Sequence, residues 1–224
     1  MLDRSTPWLL VPVKALSVGK QRLSGVLSDS QRQRLNHFFL CHTLEVASGF
    51  PGLDRTAVVS DAEDVLTLAR SVGARTICTP RHELNGALAD GCSFLIQDNA
   101  SAIIVLPVDL PAIQPADLEE IADLGLHHNM VICPDRHAVG TNAMYVSSTF
   151  VPNFHFGADS FRLHQMEARR GGITPKLFFN KRIEMDVDLP VDLEILGDAN
   201  QSTREPHRYS RAFGRGSTTN YKKN

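Results

Sequence analysis

Ser101-Ala102-Ile103-Ile104-Val105-Leu106-Pro107-Val108-Asp109-Leu110-Pro111 decides how the chain is read. Five consecutive apolar side chains without alternation suit a strand covered on both faces, because a half-exposed strand alternates apolar with polar. A carboxylate then follows between two prolines, and a carboxylate at the end of such a strand needs a partner. Working outward, apolar runs at 8–13 (WLLVPV), 56–60 (TAVVS), 75–78, 130–133, 142–146 and 182–187 are further strands. Between them lie helical patterns. Ser28 with Gln31 forms a capping box ahead of Leu35, Phe38, Phe39, His42 and Val46 at helical spacing. Helices are also predicted at 62–72, 84–97, 115–124 and 160–170, with Pro115 at a helix start and Gly73 at a helix end. Strands alternating with helices predict an α/β fold, with a mostly parallel sheet covered by helices on both faces.

Composition sets the limits. With 224 residues, 42% hydrophobic and 21% charged, the chain has enough apolar side chain for a sizeable core, so disorder over most of it is excluded. No apolar run reaches the roughly 18 residues that span a bilayer. The first 13 residues lack the apolar length and cleavage site of a signal peptide. Cys41, Cys78, Cys92 and Cys133 form no CxxC pair and read as buried free thiols of a cytoplasmic protein. Net charge is -2, from 23 basic and 25 acidic residues. From Ala199 onward there are six basic residues and one acidic residue, so the body is acidic and the tail basic. One domain is therefore expected over 1–198 and a disordered basic tail over 199–224. An acidic body argues against a broad nucleic-acid face, although the tail leaves an RNA or acidic partner open. Phe38 and Phe39 are adjacent on one helix and suit either core packing or a homodimer contact.

In open α/β sheets, ligands bind beyond the carboxyl ends of the strands. After the first strand comes VKALSVGKQRL, with Lys14, Lys20 and Arg22. Backbone N–H groups and cations there suit phosphates, although GxxxxGK[ST] is absent and a solvated basic loop has the same composition. Asp109 suits a magnesium ion, typically held by one or two carboxylates plus substrate phosphates, and also suits a turn. Asp186 and Asp188 in MDVDLPVDL are two apart, so on a strand both face one way, and paired carboxylates favour a cation. Asp192 suits the first turn of a short helix after Pro190. Around Gly140-Thr141-Asn142 and Gly157-Ala158-Asp159-Ser160, glycine stands beside hydroxyl or amide groups at element edges, where exposed N–H groups can hold an anion. Gly140 also suits a plain turn, and Ser160 a plain helix cap.

Taken in order, VPVK with KxRL, LPxDLP, GTNA, FGxxSFxxH and DVDxPxDL resemble the 2-phospho-L-lactate guanylyltransferase family, which makes the precursor of coenzyme F-420. The resemblance runs from Leu10 to Leu193. It implies a single-domain Rossmann-like fold of the GT-A, nucleotide-diphospho-sugar transferase type. It implies GTP and a small phosphorylated acid as substrates, with Mg2+ as cofactor. Lys14, Lys20 and Arg22 would meet the GTP phosphates, with Lys14, Lys20 and Asp109 catalytic. Asn85, in Leu84-Asn85-Gly86-Ala87-Leu88, would lie near the base. Asp109, Asp186 and Asp188 would hold the metal, and Thr141, Asn142, Gly157 and Ser160 the acid. Val108 replaces the family's usual Ala, and Glu83 its usual Gly. Two rivals are a related transferase acting on molybdopterin or a sugar phosphate, and a non-catalytic nucleotide- or RNA-binding protein. The LAGGxSxRMG loop of the molybdopterin enzymes is missing.

Overall fold

The computed structural model describes residues 6–194; the basic tail expected over 199–224 lies outside the described residues. Among the described residues seven strands form one sheet: β1 (Trp8–Pro12), β2 (Thr56–Ser60), β3 (Arg75–Cys78), β4 (Ala102–Val105), β5 (Met130–Pro134), β6 (Thr141–Ser147) and β7 (Lys176–Leu177). Their order is β3-β2-β1-β4-β6-β5-β7, and β6 runs antiparallel to both of its neighbours. β1, β2, β4 and β5 are buried along their whole length, as their apolar runs require.

Successive strand residues face opposite sides, which splits the core into two layers. Leu9, Val11, Val58 and Ile104 pack with Leu40 and Leu44 of α1 (Asp29–Gly49), Val65 and Ala69 of α2 (Glu63–Ser71), and Leu118 and Ile121 of α4 (Pro115–Gly125). Leu10, Val59, Ile103 and Val105 pack with Leu88 and Leu95 of α3 (Leu84–Gln97) and with Phe161 and Ala168 of α5 (Ser160–Arg170). The Ser28–Gln31 capping box opens α1. Gly91 lets α3 lie close on β1, since a Cβ there would stand 2.9 Å from Leu10 Cδ1. A helix-weakening residue thus has a packing reason. Among the described residues no helix is long and apolar enough to cross a membrane.

One expected strand is absent. Residues 182–187 do not join the sheet, and the last strand is β7, which pairs parallel with β5. Ile183 and Val187 are buried but stand four apart, so the segment anchors at two points and does not alternate. Single bonds replace a ladder: Arg136 N–H donates to Glu184 O, and Val187 N–H to Asp109 O. The turn before it is clamped to α4. Asp117, fully buried, accepts from Arg182 Nε at 2.8 Å and from Asn180 Nδ2 at 2.7 Å, and its Oδ2 also takes Gln114 N–H. This clamp lays 183–188 across the carboxyl edge of the sheet.

Burial works against the Asp117 charge, but Arg182, Gln114 and Asn180 outweigh it and hold the carboxyl below its ordinary value. The stability it contributes is therefore complete above the unfolded value of about 3.9 and is lost as pH falls through the lower folded value. Asp117→Ala should lower the unfolding free energy by about 1.5–3 kcal/mol, measured by urea denaturation at pH 7. The difference from the parent should shrink in strong acid. A pH-independent difference would contradict the ionic clamp.

Candidate active site

The strand order reverses between β1 and β4, and at that switch point the loops leaving the two strands part. A cleft of about 440 Å³ opens there, lined by Lys14, Lys20 and Arg22 from one loop, Pro107–Asp109 from the other, and Asp188. Lys14 and Leu84 also line a small pocket of about 40 Å³ over the ends of β1, β2 and β3, with Ser60, Asp61, Thr79 and Glu83. The two cavities share a wall at Pro12, Val13, Lys14 and Leu84.

Each wall of the cleft has a local cause. Asn36 on α1 is buried and donates to Leu16 O at 2.7 Å, pinning the loop after β1. Gly19 lies against it, where a Cβ would stand 2.6 Å from Asn36 Nδ2. Lys20 then adopts φ 58° and ψ 40°, a left-handed conformation uncommon for a side-chain-bearing residue. Its Nζ donates to Asp109 Oδ2 at 2.6 Å and to Asp188 Oδ1 at 2.7 Å, 5.8 Å from the centre of the Phe39 ring. Burial opposes the ammonium charge, but Asp109 and Asp188 outweigh it and raise its pKa above the ordinary lysine value. Arg22 stands 3.8 Å from Asp188 Oδ2. Lys14 is exposed in the cleft wall.

Asp188 does not sit on a strand; a turn presents it. Asp192, 2% exposed, accepts from Asp188 N–H at 2.8 Å and Leu189 N–H at 2.6 Å, and it pairs with Arg136. Burial opposes its charge, but Arg136 and the two N–H groups hold its pKa down. Asp192 thus both opens the helical turn at 190–194 and fixes Asp188. Asp186 accepts from Asn142 Nδ2 at 3.3 Å. Burial, then the charges of Asp109 and Asp188, push its pKa up. Among the described residues no three His, Cys, Asp or Glu side chains gather to hold a metal. Asp109 and Asp188 meet on one cation, and Asp186 stands beside them.

The residues expected at the acid form a second cluster at the same sheet edge. Thr141 N–H donates to Ser160 Oγ at 2.8 Å. Ser160 opens α5 but does not cap it. The cap position falls to Asp159 in a left-handed conformation, and the Ser160 hydroxyl is turned to Thr141. Gly157 has φ 126°, which favours glycine. Asn142 Nδ2 donates to Ile183 O at 2.8 Å as well as to Asp186. Asn85 is not gathered with the cations. Its amide clasps Phe156, accepting from Phe156 N–H at 2.7 Å and donating to Phe156 O at 3.1 Å, so it ties α3 to the Gly157 loop.

Sequence reading missed His164, although it is the final residue of FGxxSFxxH and lies one helical turn after Ser160. It is fully buried. His155 N–H donates to its Nε2 at 2.9 Å, so Nε2 is unprotonated and Nδ1 carries the proton. Nδ1–H therefore donates to Thr141 Oγ1 at 3.0 Å. Burial, then the neighbouring His155, lower its pKa to about 4 against a small opposing effect of Glu167. The Thr141 and Ser160 hydroxyls each already accept one bond, which leaves their protons to be donated.

The family model described as guanylyl transferase, CofC like, matches residues 8–214. The chain belongs to that family. It is 34% identical over 200 residues to phosphoenolpyruvate guanylyltransferase of Rubrobacter xylanophilus, covering 89% of this chain and 97% of that one. It is 30% identical over 186 residues to 2-phospho-L-lactate guanylyltransferase of Methanocaldococcus vulcanius, covering 83% and 81%. The fold is shared with a solved protein described as a nucleotide-diphospho-sugar transferase from Desulfovibrio desulfuricans G20, with TM-score 0.72, 17% identity and 92% of each chain covered. This CofC-like chain is therefore a nucleotidyltransferase of the guanylyltransferase kind, on the expected fold.

The tautomer is open to direct measurement. Side-chain nitrogen NMR should show His164 as the neutral Nδ1–H form with a titration midpoint near pH 4. An Nε2–H form, or a midpoint near the ordinary value of about 6.5, would contradict the hydrogen-bond assignment.

Proposed function

We propose that the chain transfers GMP from GTP to the phosphate of a small three-carbon acid, releasing pyrophosphate, as a cytoplasmic step of coenzyme F-420 biosynthesis. The acid is 3-phospho-D-glycerate, phosphoenolpyruvate or 2-phospho-L-lactate. One observation carries the reading: Lys14, Lys20 and Arg22 line the same cleft as Asp109 and Asp188. Cations facing a carboxylate pair suit a polyphosphate that arrives with a divalent ion. The names of the Rubrobacter and Methanocaldococcus relatives support the class of acid.

Magnesium fits the donors present. The Lys20 ammonium already places one positive charge between two carboxylate oxygens. Carboxylates completed by phosphate oxygens are a donor set that magnesium takes. Asp109 and Asp188 would hold it, with Asp186 alongside. Bound there, it would offset charge on the phosphates and on the departing pyrophosphate.

The remaining steps belong to the chain's own residues. Lys14 and Arg22 bind the triphosphate in the cleft that they line. Thr141 and Ser160 donate their free hydroxyl protons to the acid's phosphate beside Gly157. Asn142 holds Asp186, and Asn85 holds the Gly157 loop against α3. An oxygen of the acid's phosphate attacks the α-phosphorus in line. That bond forms as the bond from the α-phosphorus to the bridging oxygen breaks, and pyrophosphate leaves with the electron pair. The attacking phosphate is largely ionised near neutral pH, so no general base is needed. The obstacle is repulsion between anions, and the cationic cleft offsets it.

Pyrophosphate release from GTP with magnesium should depend on one of the three acids and be absent without acid. The acids differ by a few atoms, and one methyl or hydroxyl changes binding by about 1–3 kcal/mol. One acid should therefore stand out in kcat/KM. Asp109→Asn and Asp188→Asn should each lower turnover by about a hundredfold or more while leaving the fold intact by circular dichroism. Near-parental turnover in both variants, or acid-independent release, would contradict the proposal.

A further inference from the structure

Sequence reading sends Lys20 to the GTP phosphates, yet within the cleft its ammonium is engaged by Asp109 and Asp188. The contact is built. The side chain is only 8% exposed, and the backbone takes a left-handed conformation to deliver it. The carboxylates it holds are those that a divalent cation would need, and a cation bound to the same oxygens would stand close to the ammonium and be repelled by it. We propose that Lys20 is a place-holder for the metal. In the nucleotide-free protein its ammonium offsets half the charge of the carboxylate pair and keeps divalent ions out. When the triphosphate enters, Lys20 leaves for the phosphates and the ion takes its place.

The exchange conserves charge logic at each stage. Without nucleotide, one ammonium lies between two carboxylates in a largely buried position. With nucleotide, the phosphates supply a new anionic partner for Lys20 in the cleft it already lines with Lys14 and Arg22. Metal and nucleotide then bind with positive coupling, and linkage makes the effect mutual. The inference rests on the proposed role of Asp109 and Asp188 as the cation's ligands and adds the order in which the site fills.

The test is Mn2+ binding to the full chain, followed by the electron paramagnetic resonance of the free ion, so no turnover is required. Lys20→Met keeps the apolar stem and removes the charge; Lys20→Gln is a second uncharged variant should the first fail to fold. Without nucleotide, the uncharged variant should bind Mn2+ more tightly than the parent by a factor on the order of 5- to 150-fold. Adding Asp109→Asn to it should abolish the gain. The parent should acquire comparable Mn2+ affinity only with an α,β-methylene GTP analogue, scored as loss of free ion beyond that caused by the same analogue without protein. If the nucleotide-free parent binds Mn2+ as tightly as the uncharged variant, and Asp109→Asn removes that binding, the metal site stands and the place-holder role is overturned. If no variant binds Mn2+ even with the analogue, the metal assignment itself fails.

Discussion

The site is organised by one interaction, the Lys20 ammonium held between Asp109 and Asp188. Three loops far apart in sequence meet there, and each is bound to arrive. Asn36 pins the first, β4 ends directly into the second, and Asp192 with Arg136 shapes the third. Two carboxylates brought together without a cation would repel one another and drive up each other's protonation. The lysine removes that cost and makes the convergence stable. The position of the pair at the β1/β4 reversal follows from the sheet order, because neighbouring loops part there to leave a cleft.

A second network sits at the same edge and is linked to the first through Asn142, whose amide spans Ile183 and Asp186. Here the ordering element is neutral. His164 is buried with both ring nitrogens engaged, and its low pKa keeps it uncharged across the physiological range. A charged imidazolium would place two N–H donors against a backbone N–H and a hydroxyl, an arrangement that the His155 contact forbids. The division suits the chemistry proposed. On that proposal, charge gathers where a polyphosphate would meet a metal, and oriented neutral donors lie where a smaller anion would be positioned.

Much of the fold was legible because β1, β2, β4 and β5 are buried apolar runs and α1 opens on a capping box. The 101–106 run, the Ser28–Gln31 box and the Ser160 helix start all stand where the pattern predicts them. The 182–187 segment misled because Ile183, Met185 and Val187 mimic a strand's period. Its fixed points are instead set by Arg182 on Asp117 and by Val187 on Asp109, contacts across 65 and 78 positions that no local pattern encodes. At the site, the chemistry-bearing residue types were visible and the partnerships were not. Asn85 clasps a backbone 71 positions away, Ser160 turns to Thr141, and Lys20 turns to carboxylates. His164 was a fixed letter in a motif, and its role emerges only when His155 N–H shows which nitrogen carries the proton.

The central claim is that this chain moves a guanylyl group to an acid's phosphate. Position-labelled GTP tests it most directly. With the active acid and magnesium, phosphorus label at the α-position should appear in the acid-linked guanosine diphosphate product, and label at the γ-position only in pyrophosphate. Label from the γ-position in the acid product, or α-label released as free GMP whatever acid is supplied, would contradict the account.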